Sequence, residues 1–240
     1  MSIASAISAL QGASSDIATA IAAKGVTVPS GSGFGDYATL IGQIPSGGGG
    51  GRLPSGYTEL EYVQTNSQAY IDTGIGGATD LEITIKFSWH KYLQYGAVFG
   101  NYVSESYKCN RAILYDMNSF YIAGGNSLAT SVSYNAIGAI HTLVVRYNEV
   151  YLNGIGTAIS AATKTENSTN IALGTNKVGN ARGDIGLRIY AFSVSKNNIE
   201  QVNFVPCINS NDVAGFYDLV NNVFKPSDTI TPFVAGPTIN

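Results

Sequence analysis

The sequence predicts a mainly β protein, a jelly-roll sandwich preceded by a short N-terminal helical module. Three observations carry that expectation. Leu81, Ile83, Ile85, Phe87 and Trp89 alternate with Glu82, Thr84, Lys86, Ser88 and His90 without a break, the two-residue period of a strand with one face in a core. Many other short apolar runs are separated by Gly and Asn turns with almost no helical period among them, the pattern of a two-layer antiparallel domain. Toward the N-terminus the pattern changes to helical spacing, and a glycine run follows it.

In chain order, Ile3, Ile7, Leu10, Ile17 and Ile21 form a heptad seam in which Ser14 takes one inward position. Alanine-rich filling favours a helix here. Gly12 weakens its middle by about 1 kcal/mol relative to Ala, and Gly25 after Lys24 is a stop. A second helix is expected from Asp36 to Ile44, capped by Asp36, with Leu40, Ile41 and Ile44 on one side and Pro45 ending it. The chain therefore divides into a helical assembly module at 1–45, a Gly-rich linker at 46–51 and a sandwich at 52–240. One narrow apolar stripe cannot make an independent core in so short a segment. The expected partner is another copy of the chain, with Ile3, Ile7, Leu10, Ile17 and Ile21 as oligomerisation residues and a homotrimer as the expected state. The competing expectation is a helix that packs on the main domain or frays.

Within the sandwich, strand candidates are Leu60 to Gln64, Ala69 to Thr73, Leu81 to Trp89, Gly96 to Gly100, Arg111 to Tyr115, Phe120 to Ala123, Thr130 to Tyr134, His141 to Tyr147, Val150 to Leu152, Ile171 to Gly174 and Gly186 to Ser195. Asn153-Gly154 reads as a type I′ hairpin turn, because both residues accept positive φ. Leu187 to Val194 is apolar at both parities apart from Arg188 and Ser193, so it is expected mid-sheet and covered on both faces.

His141 to Gly154, His-Thr-Leu-Val-Val-Arg-Tyr-Asn-Glu-Val-Tyr-Leu-Asn-Gly, resembles the strand, turn and strand of concanavalin A-like, laminin-G-like lectin domains. Leu53-Pro54-Ser55-Gly56-Tyr57-Thr58-Glu59-Leu60-Glu61-Tyr62-Val63-Gln64, continuing to Tyr70-Ile71-Asp72-Thr73-Gly74, is similar to the opening of such modules in bacteriophage fibre and tail proteins. Phe204-Val205-Pro206-Cys207 and Gly215-Phe216-Tyr217-Asp218-Leu219-Val220-Asn221 are similar to their closing segment. Ala23-Lys24-Gly25-Val26-Thr27-Val28-Pro29 and the helix before the glycines resemble attachment segments of phage tail-associated proteins. The resemblance implies a pair of curved sheets used for glycan or protein binding, sometimes with calcium, and in some branches for polysaccharide hydrolysis. Fold alone selects none of these.

Charge narrows the choice. Thirteen Lys+Arg against sixteen Asp+Glu give a net charge of −3, and charged residues are 12% of the chain, about half the ~25% usual in soluble proteins. A basic stripe for nucleic acid cannot be assembled from so few cations. A surface of Asn, Ser, Thr and Tyr suits neutral polar partners. The N-terminus lacks a basic n-region and a continuous apolar h-region, so no signal peptide is expected, and no apolar run approaches a membrane span. Synthesis in a cytoplasm without membrane insertion is therefore expected, and the resemblance to phage fibre and tail proteins implies a bacterial host and residence in a virion. Cys109 and Cys207 are the only cysteines; one bridge or two thiols are both open.

For hydrolysis, the Glu-x-Asp-x-x-Glu strand motif of related glucanases is absent. Glu59 and Glu61 share a strand face and are assigned to solvent exposure or edge pairing, and Asp80 and Glu82 to the polar face of a strand. His90 and His141 are the only histidines available as bases; His141 is read as a hydrogen-bonded structural residue and His90 as a strand-end residue beside Trp89. No catalytic residue, cofactor or metal ligand is assigned. Calcium-type oxygens at Asp72, Asp184, Asn209, Asn211, Asp212 and Asp218 are scattered, and Asn209 to Asp212 is read as a solvated turn. Sugar binding asks for aromatic faces with amides and charged groups beside them. Trp89 to Arg111 fits best: Trp89 keeps the inward parity, whereas Tyr92, Tyr95, Asn101, Tyr102, Tyr107 and Arg111 are the candidate ligand-binding residues. The expected function is that of a non-enzymatic phage fibre or tail-associated protein displaying a sandwich to host-surface glycan or receptor, with itself and other virion proteins as partners. An architectural decoration protein is the alternative, and a depolymerase the third.

Overall fold

The computed structural model describes residues 2–22, 26–42, 52–66, 68–78, 80–91, 96–101, 111–116, 119–123, 130–131, 137–146, 149–158, 167–175 and 186–239, with backbone alone at 42, 111–116, 119–123, 130–131 and 167–168. The chain forms two compact units, Met1–Gly51 and Arg52–Asn240.

In the first unit α1 spans Ile3–Ala22 and α2 spans Phe34–Gly42. Ser2 opens α1 by accepting the Ser5 N–H on its hydroxyl at 3.1 Å, which satisfies a donor that has no partner inside the helix. Asp36 lies in the first turn of α2 and reaches back to accept the Gly33 N–H at 2.9 Å, the return half of a capping box. Ile21, Val26, Tyr37 and Leu40 are buried together, with Ile17 packed against them. Tyr37 extends this contact through its hydroxyl, which lies 2.7 Å from the Ser14 hydroxyl and donates to the Ser14 carbonyl at 2.8 Å.

This small cluster corrects the single-seam expectation. Ile17 and Ile21 are consumed inside the unit, and only Ile3, Ile7 and Leu10 of that stripe remain exposed, Ile3 at 82%. The buried side of α2 is Tyr37 and Leu40, while Ile41 faces solvent. An aromatic ring one turn before Leu40 covers more of α1 than Ile41 could from the adjacent side. Ile44, Pro45 and the expected stop at Lys24-Gly25 lie outside the described residues.

The second unit is the expected sandwich of two antiparallel sheets. Its strands are β1 (Tyr57–Glu59), β2 (Val63–Gln64), β3 (Ile71–Gly77), β4 (Leu81–Ser88), β5 (Ala97–Gly100), β6 (Arg111–Asp116), β7 (Ser119–Ala123), β8 (Thr130–Ser131), β9 (His141–Val145), β10 (Glu149–Leu152), β11 (Ile155–Ala158), β12 (Asn167–Leu173), β13 (Arg188–Lys196), β14 (Ile199–Asn209), β15 (Ala214–Asp218), β16 (Val223–Lys225) and β17 (Val234–Ala235). Among the described residues the larger sheet runs β11-β10-β9-β4-β13-β14-β15-β16, with β1 on β14 and β2 between β13 and β17; the smaller runs β3-β12-β5-β6-β7-β8. Leu81, Ile83, Ile85 and Phe87 of β4 all point into the core, as their alternation requires. Phe99 of the smaller sheet meets Phe192 of the larger edge-on at 6.4 Å between ring centres, and Phe192, Phe204 and Phe216 continue the contact across three neighbouring strands. Such aromatic pairs add about 0.5–1.5 kcal/mol each beyond their buried area.

β13 is mid-sheet, between β4 and β14, but it is not covered on both faces. The pairing with β4 slips between Ile189 and Ala191. This bulge turns Tyr190 and Ala191 outward in succession and returns Phe192 to the core, so Ile189 and Phe192 are both buried at opposite parity. The mixed apolar parity of the sequence records a bulge, not a doubly buried strand.

The largest omission from the sequence reading is β14, an eleven-residue strand at the centre of the sheet. Asn197 and Asn198 both have positive φ, 51° and 62°, and they turn β13 into β14 as a two-residue hairpin. Asn153 and Gly154, at φ 52° and 83°, make the expected turn between β10 and β11.

Candidate functional site

The bulge in β13 places a polar and aromatic group on the outward side of the larger sheet. Arg188 pairs in register with Ser88 of β4 on one side and Gln64 of β2 on the other, so three strands from distant parts of the chain meet at one point. Tyr62 leads into β2 and Tyr190 lies in the bulge; their rings meet edge-on at 5.4 Å. The Arg188 guanidinium carbon lies over the Tyr62 ring at 4.6 Å from its centre. Its Nε donates to Gln64 Oε1 at 2.9 Å. Lys86 brings its ammonium to 5.8 Å from the Tyr190 ring centre.

Tyr62 is held from behind by the C-terminal segment. Gly236 donates its N–H to the Tyr62 carbonyl at 3.0 Å, and a Cβ at Gly236 would fall 2.5 Å from that oxygen and 2.8 Å from the ring. Only a residue without a side chain lets β17 pass so close to the tyrosine. Beneath Tyr190, the Ser88 hydroxyl lies 3.3 Å from the Tyr190 hydroxyl and 3.1 Å from His90 Nε2. Burial, and secondly the Arg188 charge, push the His90 pKa below the usual histidine value. The imidazole is therefore neutral at pH 7.

A serine beside a histidine raises the question of a nucleophile and its base. Ser88 is 0% exposed, and its hydroxyl is engaged by two partners. No carboxylate among the described residues orients His90. The pair instead supports Tyr190 from below. What faces outward is two tyrosines, a planar amide and two cations, and neither Arg188 nor Lys86 is salt-bridged among the described residues. Such a surface can stack on C–H faces and donate to oxygen acceptors.

A concavity of about 360 Å³ lies between β3 and the β14 to β16 edge, lined by Thr73, Gly74, Gln201, Asp218, Asn221 and Lys225, among others. Its carboxylate is already committed. Asp218 accepts the N–H groups of Asn203 and Val220 at 3.1 and 3.0 Å and the Asn221 side-chain amide at 2.7 Å, so it braces the turn after β15. Among the described residues no aromatic ring lines this groove.

Of the residues expected at the site, Tyr92, Tyr95, Tyr102 and Tyr107 lie outside the described residues, and Arg111 is described only as backbone in β6. Asn101 is a correction. It is 0% exposed and donates its side-chain amide to the Thr169 carbonyl at 3.4 Å, so it closes the smaller sheet and offers nothing to a surface ligand. Trp89 is buried and stacks on His141 at 5.0 Å and 19°. His141 is buried as well, with Nδ1 3.2 Å from the Asn153 side-chain amide.

Glu59 is a second correction. It is 3% exposed and pairs with Arg52, while Glu61 is exposed. Among the described residues β1 pairs with β14 alone, Glu59 opposite Cys207, and on its other side the Ile239 N–H donates to the Glu59 carbonyl at 3.0 Å; the edge pairing stands and the solvent exposure does not. Cys207 is a free buried thiol among the described residues; Cys109 lies outside them.

Among the calcium-type residues, Asp72 accepts from Gly74 N–H at 2.8 Å and Asn170 at 3.2 Å. Asn209 accepts the Asn211 and Val213 N–H groups at 2.9 and 3.0 Å. Asp184 lies outside the described residues. The described residues contain no grouping of three His, Cys, Asp or Glu able to hold a metal, and no helix among them is long and apolar enough to cross a membrane.

Sequence reasoning missed Tyr62, Gln64, Arg188 and Tyr190 as a group. Tyr62 and Gln64 stood in the opening phrase and Arg188 was visible as the polar exception in an apolar run. Nothing in their spacing signals that they meet.

Fold and face together define a two-sheet β-sandwich with a tyrosine- and arginine-bearing outer surface. No protein-family model, no curated protein and no solved structure matches the chain.

Proposed function

We propose that this chain is a non-enzymatic recognition protein whose sandwich presents the Tyr62–Arg188–Tyr190 face to glycan or receptor on a bacterial surface. The observation that carries the reading is that face itself: aromatic rings, a planar amide and unbridged cations gathered on a rigid sheet. Sites built on strands hold their groups more precisely than sites on loops. The N-terminal unit supplies assembly. Ile3, Ile7 and Leu10 remain exposed on α1, and the helical stripe they form is satisfied by other copies of the chain or by a neighbouring protein. Joined copies let weak sites act together, so each needs only modest affinity.

The virion setting, a phage fibre or tail-associated protein, rests on the resemblance of the opening, closing and attachment segments. A glycan array and a binding assay on bacterial cells test recognition, using the full chain and a Tyr190→Ala variant. The reading expects signal that the variant loses. No signal above an unrelated sandwich would overturn it.

A further inference from the structure

We infer that the Arg188 site selects sugars bearing a carboxylate, as uronic and sialic acids do, over their neutral counterparts. This rests on the recognition reading above and specifies its ligand. The argument begins with how the guanidinium is held. Gln64 takes the Nε hydrogen at 2.9 Å and the Tyr62 ring backs the plane at 4.6 Å. Neither terminal amino group has a hydrogen-bond acceptor among the described residues. A guanidinium fixed at Nε and on one face, with its terminal N–H groups uncommitted, is a preorganised fork for a planar two-oxygen acceptor.

Charge on the same face points the same way. Lys86 lies over Tyr190, the ring adjoining Tyr62, and has no acidic partner among the described residues. The nearest outward acid on β4, Glu82, is taken by Arg146 at 2.6 Å. Two cations without counter-ions therefore stand beside two tyrosines. The remainder of the surface argues against a densely charged polymer. Only thirteen Lys and Arg serve the whole chain, too few to neutralise a sulfated or phosphodiester backbone over any length. One carboxylate per sugar, with the ring's C–H face on a tyrosine, matches one fork and adjoining aromatic surface.

The test uses the full chain on an array in which uronic- and sialic-acid glycans stand beside their carboxyl-reduced forms, with a polyglutamate peptide as a separate arm. Charge-assisted pairing is worth on the order of tenfold in affinity, so binding should fall about that much on carboxyl reduction. Arg188→Gln should remove the difference while lowering the melting temperature by only a few degrees, through loss of the stack on Tyr62. Lys86→Gln should shrink it. Equal binding to acidic and reduced glycans, or to neutral glycans alone, overturns the carboxylate inference and leaves recognition standing. Equal binding to polyglutamate also overturns it, because the fork would then read charge without the sugar. An empty array overturns both. If Arg188→Gln fails to fold, Gln64→Leu frees the guanidinium to rotate and should reduce the same difference; a full difference in that variant overturns the inference.

Discussion

Arg188 and Tyr62 are stacked, cation over ring at 4.6 Å, although 126 positions of sequence separate them. The stack does two things at once: it covers a tyrosine face and it stops a long side chain from wandering. Tyr62→Leu should cost about 0.5–1 kcal/mol of stability, the value of a partly exposed cation–π contact, and should weaken ligand binding by more than that. Urea unfolding against binding isotherms separates the two effects; equal losses would mean that the ring does not position the guanidinium.

Gly236 tests the same arrangement from the other side. Its missing Cβ lies where the Tyr62 carbonyl and ring already are. Gly236→Ala must shift β17 or Tyr62, with a cost of about 1–3 kcal/mol typical of overpacking, and the binding defect should resemble that of Tyr62→Leu. A variant with unchanged melting temperature and binding would show that the approach is looser than described.

His90 supplies a pH dependence. Its pKa is lowered in the folded chain, first by burial and then by Arg188, so the folded state resists protonation more than the unfolded state does. The contribution is whole above the ordinary histidine pKa and is lost as pH falls below it, through the lower folded value. The urea midpoint should fall on acidification through that range, and His90→Gln should flatten that part of the profile. A midpoint that drops equally in the variant would assign the loss elsewhere.

Cys207 gives the opposite limb. Burial pushes its thiol up to about 12, so the folded chain holds the proton and the associated stability is lost as pH rises above the usual thiol range toward that value. At pH 8 native Cys207 should resist alkylation and react only on unfolding. Rapid labelling of Cys207 in the native chain, located by peptide mass, would contradict its burial.

Glu59 and Arg52 form a partly buried pair in which Glu59 Oε2 accepts no hydrogen bond among the described residues. Arg52→Met should cost about 1–3 kcal/mol by leaving a buried carboxylate without its cation. Adding Glu59→Met should recover most of that loss. A double variant as unstable as the sum of the two single variants would mean that they do not interact.

The N-terminal stripe divides into two roles that mutation can separate. Ile21→Ala removes a side chain buried with Tyr37 and Leu40 and should cost about 2–5 kcal/mol locally, seen as lost helical circular dichroism. Ile3→Ser with Ile7→Ser and Leu10→Ser should keep the helix and lower the oligomeric mass in light scattering. An unchanged mass would remove the exposed stripe from assembly.

By itself the sequence determined what depends on neighbours along the chain. The period of β4, the Asn153-Gly154 turn, the helical N-terminus and the two-layer β class all follow from spacing and local backbone preference, which operate within a few residues. The heptad reading found the right helix but could not divide its stripe, because Tyr37 competes for Ile17 and Ile21 through tertiary packing. Likewise Asn101 read as a ligand-binding residue and Glu59 as solvent-exposed or edge-paired, since polarity says what a side chain needs and not which strand supplies it. The Arg188 face was decided by tertiary structure alone. Three strands and a bulge bring Tyr62, Gln64, Ser88 and Tyr190 around one guanidinium, and strand order carries no signature in the spacing of any of them.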